Sequence, residues 1–276
     1  MITPFKLSDI EQCIKLIKRL NKGNMKVRYY PTDPDGIKQR LIKRYNSNNV
    51  KILLYLENEK VAGILELLID EETKYLQILA VFIDRDTNQT LDKYFKEIKK
   101  TYINFKLMYV LSDFNIVYIN YMEKLGAVTD GDEIMISITP RQFLCGEVSN
   151  VSKLDKSYAK EFTLLHNNLY QDVYWTAELL LRTGSPFDIF VIIENNILVS
   201  YAVISSKKSE EEEIFFLHTL SVKDKTSLLR KSISSAFEYA KEVILLLESS
   251  EIINVDYYES LGFNKKEVII SYSLIT

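Results

Sequence analysis

Apolar and polar residues alternate along this chain with two different periods, and the order of those periods repeats once. Runs with a period of about two predict strands, whereas runs with a period of about 3.6 predict amphipathic helices. Each half shows, in order, the patterns of a helix, a strand hairpin, a third strand, a helix, a short buried strand, a last helix and a closing strand. The chain is therefore predicted to be mixed α/β and to contain two copies of one unit.

The spacing between matching landmarks supports a duplication. The hairpin turns at Glu57 and Glu194 are 137 residues apart (194 − 57), and the glycines Gly126 and Gly262 are 136 apart (262 − 126). Each glycine follows a predicted helix, where it suits the left-handed backbone of a helix C-terminus. A nearly constant offset between two different landmarks favours a repeat over coincidence.

The repeat predicts two domains, residues 1–140 and residues 146–276. Each domain is predicted to finish on its own closing strand, over 133–139 in the first and 266–274 in the second. A single large α/β domain is the alternative, and the repeated hairpin disfavours it because one continuous doubly wound sheet would not repeat that feature.

Composition narrows the class of protein. Of the 276 residues, 47% are hydrophobic and 26% are charged, which is typical of a globular protein. The net charge of −3 gives no electrostatic reason to expect nucleic acid or an anionic membrane as a partner. No apolar run approaches the roughly 20 residues that span a bilayer, and the first residues do not resemble a signal peptide. We therefore expect a cytoplasmic protein.

The metal-binding residue types are scarce. The chain has two cysteines, Cys13 and Cys145, and two histidines, His166 and His218, and none of them has the spacing of a zinc motif. We therefore expect no metal site.

The last helix of each half ends on a similar motif. Both motifs resemble the closing motif of the GNAT superfamily of acyl-CoA-dependent N-acyltransferases, and a third segment resembles the central strand of that superfamily. The order of elements also matches, so the chain is similar to tandem members of the superfamily over nearly its whole length. The segments are Tyr121-Met122-Glu123-Lys124-Leu125-Gly126-Ala127, Tyr257-Tyr258-Glu259-Ser260-Leu261-Gly262-Phe263 and Leu217-His218-Thr219-Leu220-Ser221-Val222.

The resemblance implies acetyl-CoA as co-substrate and an amine, on a small molecule or a peptide, as acceptor. In the superfamily, splayed central strands leave backbone amides free for the pantetheine arm, and a Gly-rich loop before the next helix binds the pyrophosphate. The cofactor-binding residues that this implies are Leu220, Ser221, Val222, Lys223, Lys225, Thr226, Ser227 and Leu228 in the second half, and Asn115 in the first. For Asn115 a helix cap is the alternative role.

The cofactor loops depart from the superfamily pattern. Residues 82–90 and 223–228 contain no glycine, although glycine allows the left-handed turns and the close backbone approach that a phosphate cradle uses. Asp84 and Asp86 in the first loop would also repel a pyrophosphate. Cofactor binding is therefore left open in both halves.

Two residues carry the proposed chemistry. Tyr258 occupies the position of the superfamily tyrosine that protonates the leaving thiolate, whereas its counterpart in the first half is Met122. His218 lies on the central strand, where it could take a proton from the amine. The alternatives are a packing tyrosine and a hydrogen-bonded core histidine. The tyrosine makes the C-terminal half the better catalytic candidate.

The acceptor site is predicted in the helical segment after the first strand of each half, in the aromatic-rich residues 28–30 and 170–175. Aromatic core packing is the alternative role of these residues. The run of glutamates at 210–213 is predicted to be a solvated turn before a strand. The leading hypothesis is an acyl-CoA-dependent N-acetyltransferase. The second is a non-catalytic GNAT-fold protein that binds a metabolite or a protein. The sequence leaves the oligomeric state open, a homodimer included.

Overall fold

The computed structural model describes residues 1–23, 27, 30–171, 173, 175–208, 210–248 and 254–276. Its contacts divide the chain into two compact units. The N-terminal unit comprises Met1–Asp132 together with Glu267–Thr276, and the C-terminal unit comprises Glu133–Lys266.

The N-terminal unit is built on a sheet with the strand order β1-β2-β3-β4-β5-β12, in which only the β4–β5 pair is parallel. Helices α1 and α2 pack on one face of this sheet, and α3 and α4 pack on the other. The bounds are β1 Ile2–Pro4, α1 Ile10–Leu20, α2 Pro34–Tyr45, β2 Val50–Glu57, β3 Lys60–Asp70, β4 Tyr75–Ile83, α3 Thr87–Thr101, β5 Lys106–Ser112 and α4 Ile116–Lys124.

The C-terminal unit repeats the arrangement with the strand order β6-β11-β10-β9-β8-β7, in which only the β10–β11 pair is parallel. The bounds are β6 Val128–Ile138, β7 Val151–Lys153, α5 Ala159–Leu169, α6 Ala177–Leu181, β8 Phe187–Glu194, β9 Ile197–Ser205, β10 Glu211–His218, α7 Val222–Ala236, β11 Glu242–Glu248, α8 Val255–Ser260 and β12 Asn264–Ile275. The first five residues of β6 and the last nine of β12 belong to the N-terminal unit. The mixed α/β class and the repeated order of elements are confirmed.

The two parallel pairs are short. β4 pairs with β5 only over Tyr75–Ile78, and β10 pairs with β11 only over Glu211–Ile214. Both central strands nevertheless continue to pair with their outer neighbours, β4 as far as Ile83 and β10 as far as His218. The strands of each parallel pair must therefore diverge, and we call the resulting spaces the β4–β5 wedge and the β10–β11 wedge.

An irregularity in the register marks the start of each wedge. Leu79 is left without an opposite residue where β4 runs along β3, and Phe215 is left without one where β10 runs along β9. An extra residue in one strand bends it and increases its twist. The bend helps to separate each central strand from its parallel neighbour at the same point of both repeats.

The closing strands differ from the sequence prediction. Residues Ile269–Ile275 of β12 pair with β5, and residues Glu133–Ile138 of β6 pair with β11. The prediction that each half finishes on its own closing strand is therefore wrong, and the contact units depart from 1–140 and 146–276 by this exchange. Both strands bring buried apolar residues to the segment that pairs, so either can complete a sheet.

Two smaller features of the sequence prediction have different outcomes. Gly126 and Gly262 adopt left-handed backbone angles, with φ of +74° and +99°, at the ends of α4 and α8 as predicted. The solvated turn predicted at 210–213 is wrong, because Glu212 and Glu213 are buried in β10. The Ser205 hydroxyl donates to the Glu212 carboxylate and accepts from the Glu213 backbone N–H.

In the part of the chain that the structure describes, no helix is both long and apolar enough to cross a membrane.

Candidate active site

The segment predicted to be the end of the central strand is instead the start of a helix. β10 stops at His218, Ser221 is the N-cap of α7, and Val222 is the first helical residue. The Ser221 side chain accepts a hydrogen bond from the Asp224 N–H at 3.1 Å. This cap offsets the strand preference of the β-branched Val222. Leu220, Ser221 and Val222 therefore lie on an exposed turn and not on a strand edge.

The first turn of α7 already holds a carboxylate. Asp224 accepts a hydrogen bond from the Ser200 hydroxyl at 3.4 Å, and the Ser200 oxygen accepts one from the Leu220 N–H at 3.3 Å. A carboxylate at the positive end of a helix dipole occupies the electrostatic position that a pyrophosphate would use. The exposed Lys223 places a positive charge in the same turn, which opposes the negative charge of Asp224.

The side chains that follow in α7 contact the last helix or the core. The ammonium of Lys225 lies 4.7 Å from the ring centre of Tyr258, and the Thr226 hydroxyl is 2.8 Å from the Tyr257 hydroxyl. Ser227 is buried, with its oxygen 3.5 Å from the Ser149 hydroxyl, and Leu228 is completely buried in the core.

Tyr258 lies on α8 with only 1% of its surface exposed. Its ring packs edge-to-face against Tyr257 and Phe263, at centroid separations of 5.2 and 6.0 Å. This burial favours the packing role that the sequence left open, and the role of Tyr258 as a general acid stays a prediction.

His218 is the last residue of β10 and is partly buried, which lowers its pKa below the ordinary 6.5. Its ring centre lies 5.9 Å from that of Tyr201, the residue opposite it on β9. Tyr201 also bonds the other histidine, since its hydroxyl is 2.9 Å from Nδ1 of His166. Both predicted alternatives for His218, a base and a packed histidine, are compatible with this position.

The N-terminal unit keeps a backbone feature that the C-terminal unit lacks. Asp86, immediately before α3, has φ of +49° and ψ of +51°, the left-handed conformation that glycine usually supplies in a phosphate cradle. None of residues 219–227 before and within α7 has a positive φ. In the same loop, Arg19 pairs with Asp84 at 2.9 Å and offsets the repulsion expected from that carboxylate.

A pocket of about 250 Å³ lies beside this turn, between the start of α3 and the outer face of α4. Tyr121 in its wall donates a hydrogen bond to Asp92 at 2.9 Å. Counting along the buried faces of the helices, the counterparts of Asn88 and Tyr121 are Thr226 and Tyr257. Their hydroxyls hydrogen-bond and bridge the corresponding place in the C-terminal unit. The pocket is lined by Asn88, Val117, Asn120, Tyr121 and Lys124.

Asn115 stands at the N-cap position of α4, but its side chain makes no capping hydrogen bond. Its backbone N–H bonds the Ser112 carbonyl at the end of β5, which holds Asn115 at the mouth of the β4–β5 wedge. The alternative role as a side-chain cap is therefore wrong, and the amide stays available to a ligand.

A buried charged cluster on the α1–α2 face of the N-terminal unit was not predicted from the sequence. Glu66 on β3 is completely buried, and its two oxygens accept from the Tyr30 hydroxyl at 2.6 Å and from Arg40 Nη2 at 2.9 Å. The Tyr30 ring packs edge-to-face on Phe82 of β4 at 4.9 Å. A glutamate within the apolar run of β3 is the sequence signal that could have found this cluster.

Some predicted acceptor residues, Arg28, Tyr29, Asp172 and Tyr174, lie outside the described residues. Within the described ranges, no group of three or more His, Cys, Asp and Glu side chains could hold a metal ion.

Solved structures share this fold along nearly the whole chain. A GCN5-related N-acetyltransferase from Sphaerobacter thermophilus matches with a TM-score of 0.74 at 11% identity, over 100% of this chain and 95% of that protein. A tandem GNAT protein from the clavulanic acid biosynthesis pathway matches with a TM-score of 0.71 at 10% identity, over 100% and 98%. A GNAT-family acetyltransferase from Colwellia psychrerythraea matches with a TM-score of 0.61 at 11% identity, over 99% of each chain.

No protein-family model matches the sequence, and no curated protein matches it in sequence. The matches to solved structures show that the chain has the tandem GNAT fold. At 10–11% identity this likeness is one of fold alone.

Proposed function

We propose that this protein is an acyl-CoA-dependent N-acyltransferase that uses acetyl-CoA, and that its N-terminal unit binds the cofactor. The observation that carries the proposal is the pocket between α3 and α4, which opens beside the left-handed turn at Asp86. The GNAT fold supports the general class of reaction, because its solved neighbours include N-acetyltransferases.

The residues around the pocket fit the parts of coenzyme A. Asp86 has the left-handed conformation of one residue of an anion-binding nest, and the first backbone N–H groups of α3 follow it directly. Lys124 adds a cation for a phosphate, and Asn115 offers its free amide to the pantetheine arm at the β4–β5 wedge. The unpaired backbone groups of the wedge would polarise the thioester carbonyl.

In the proposed reaction the acceptor amine attacks the thioester carbon directly in a ternary complex. The new C–N bond forms, the C–S bond breaks, the amine gives up one proton and the departing thiolate accepts one. Holding both reactants in the wedge lowers the barrier by removing the entropy cost of their encounter.

The C-terminal unit remains a second candidate site, with Tyr258 as general acid and His218 as base. Three observations favour a non-catalytic role for it instead: the carboxylate of Asp224 in the first turn of α7, the Thr226–Tyr257 bridge and the burial of Tyr258. The alternative to two active sites is thus a protein in which the N-terminal unit binds the cofactor and the C-terminal unit has a structural role.

Calorimetric titration of acetyl-CoA into matched charge variants tests which unit binds. Lys124 and Ser260 occupy corresponding exposed positions at the ends of α4 and α8. Lys124→Glu replaces a cation by an anion beside the pocket, so we expect it to weaken acetyl-CoA binding about tenfold or more. Ser260→Glu adds an anion at the matching place in the other unit and should leave the affinity within about twofold.

The reverse result would move the cofactor to the C-terminal unit, where Tyr258→Phe should then reduce turnover. If the wild-type protein shows no saturable binding at millimolar acetyl-CoA, the acyltransferase proposal is wrong and the non-catalytic alternative stands.

A further inference from the structure

Among the described residues, the cluster around Glu66 on the α1–α2 face of the N-terminal unit has two arginines and one carboxylate. Arg40 and Arg44 lie one turn apart on the same face of α2, and only Arg40 of the two pairs with the carboxylate of Glu66. Arg40 binds this carboxylate through Nη2 at 2.9 Å and Nε at 3.2 Å. Among the described residues, no carboxylate lies within ion-pair distance of Arg44.

The surroundings of Arg44 make an unpaired charge costly. The residue is partly buried, and burial followed by the charge of Arg40 lowers its pKa below the ordinary value of 12.5. A guanidinium that has lost part of its hydration gains most from a carboxylate, which it can bind through two parallel hydrogen bonds. A ligand anion would therefore stabilise a charge with which no described carboxylate pairs directly.

Glu66 of this cluster stands where the β4–β5 wedge meets the α1–α2 face. Glu66 pairs across the sheet with Ala80, the residue after Leu79, and Leu79 is where β4 begins to leave β5. Ala80 and Phe82 face α1 and α2, whereas Ile78 and Val81 face α3 and α4. The cofactor pocket is on the α3–α4 side, so the wedge connects it to the face that carries the arginines.

We propose that the acceptor is an amino acid, whose carboxylate binds Arg44 while its amine enters the β4–β5 wedge. The entry of the amine into the wedge rests on the proposed function. The binding of the carboxylate to Arg44 does not. Arg40 binds Glu66 beside the site, so the guanidinium of Arg40 is a second positive charge next to the bound anion. The matched charges at the two ends would select amino acids over simple amines.

Chemical labelling of arginine tests the carboxylate site without catalysis. Phenylglyoxal modification of the full-length protein is followed residue by residue by mass spectrometry. The probes are an equimolar mixture of L-amino acids and the mixture of the corresponding amino-acid amides, which lack the carboxylate. We expect the amino acids at saturating concentration to slow labelling of Arg44 about fivefold or more, and the amides to leave it unchanged.

The exposed Arg141 is the internal control, because consumption of the reagent by free amines would slow its labelling equally. Equal labelling of Arg44 with amino acids and with amides would overturn the proposal.

Kinetics of CoA release supply a second reading. With amino acids as acceptors, Arg44→Gln should raise KM about tenfold or more while kcat and the affinity for acetyl-CoA stay unchanged. Lys43→Gln, at the exposed neighbouring position, is the matched control and should change none of these values. A wild-type protein that acetylates amides as well as amino acids would refute the carboxylate site and leave the acyltransferase proposal standing. Failure of acetyl-CoA to bind would refute the acyltransferase proposal. The labelling experiment would still decide whether Arg44 binds a carboxylate.

Discussion

Tyr201 stands between the two histidines of the chain and hydrogen-bonds one of them. Nε2 of His166 lies 3.0 Å from the Trp175 carbonyl, which can only accept, so Nε2 carries the hydrogen. Burial lowers the pKa of His166 below 6.5, so the ring is neutral at neutral pH, and Nδ1 then accepts from the Tyr201 hydroxyl at 2.9 Å.

This arrangement predicts that the C-terminal unit loses stability in mild acid. Because the folded pKa of His166 is below its unfolded value, the unfolded chain binds more protons once the pH falls below 6.5. The stabilisation is complete above that value and declines as the pH falls towards the folded pKa. Urea unfolding at about pH 7.5 and about pH 5.5 should give a lower free energy of unfolding at the acid value.

His166→Asn should reduce this difference between the two pH values, although it also removes the hydrogen bond to Tyr201 and costs about 1–3 kcal/mol at either pH. His218 shifts in the same direction, so His218→Asn measures its separate share. An unchanged pH dependence in both variants would contradict the prediction.

Sequence reasoning placed Tyr258 and Asn115 at the correct helices, but it put Leu220, Ser221 and Val222 on a strand and could not tell which way any of the side chains face. The motif places Tyr258 on the last helix correctly, yet its hydroxyl group lies in the core and not on a surface. Glu66 lies outside the segments that resemble the superfamily, so the resemblance gave no indication of its role. Whether a side chain faces a wedge or a core depends on the helix that packs over it, and residue spacing does not contain that information.

At the scale of elements, the two Leu-Gly helix ends look alike in sequence but differ in their surroundings. A Cβ atom added to Gly126 would meet nothing within 4 Å, whereas one added to Gly262 would lie 2.2 Å from the carbonyl oxygen of Gln142. The same motif therefore carries different constraints in the two units.

Alanine substitutions separate the two constraints. Gly126→Ala should cost only the left-handed conformation, about 1–2 kcal/mol. Gly262→Ala adds a collision with backbone and should cost about 3 kcal/mol or more. The measurement is the free energy of urea unfolding, with each variant as the matched control of the other. Equal losses would mean that the segment around Gln142 moves aside without cost.

The elements themselves were largely predictable, because long periodic runs report burial directly. One exception is the start of α7, where the apolar and β-branched residues Leu220 and Val222 suggest a strand. The Ser221 cap and its bond to the Asp224 N–H decide for a helix. A local polar contact of this kind outweighs strand propensity over two or three residues.

At the scale of the whole molecule, the exchange of closing strands is the feature that the sequence could not predict. β6 and β12 both carry buried apolar residues along the segment that pairs, and both follow a Leu-Gly helix end. Pairing with the strand of the same half or of the other half buries equivalent faces. The pattern fixes that a strand closes each sheet but not which one does so.

The exchange predicts that residues 1–140 do not form an autonomous domain. This fragment lacks 267–276 and would leave the apolar edge of β5 unpaired, which favours self-association. We expect it to aggregate or to unfold without cooperativity. Residues 1–132 joined to 267–276 by a flexible linker of about ten residues, which can span about 30 Å, should be monomeric and unfold cooperatively. Size-exclusion chromatography and urea unfolding report both properties.

A monomeric, cooperatively folding 1–140 fragment would contradict this prediction and show that residues 133–139 can close the sheet of their own half.

The exchanged strand also sets an order of events during translation. The N-terminal unit needs residues 267–276 for its last strand, so it cannot be complete when its first 132 residues leave the ribosome. The C-terminal unit is contiguous in the chain and can finish first, against the usual order in which N-terminal domains fold before later ones. Until the last residues of the second repeat are released, the nascent chain exposes the unpaired edge of β5, and this interval is when binding by a chaperone would protect it.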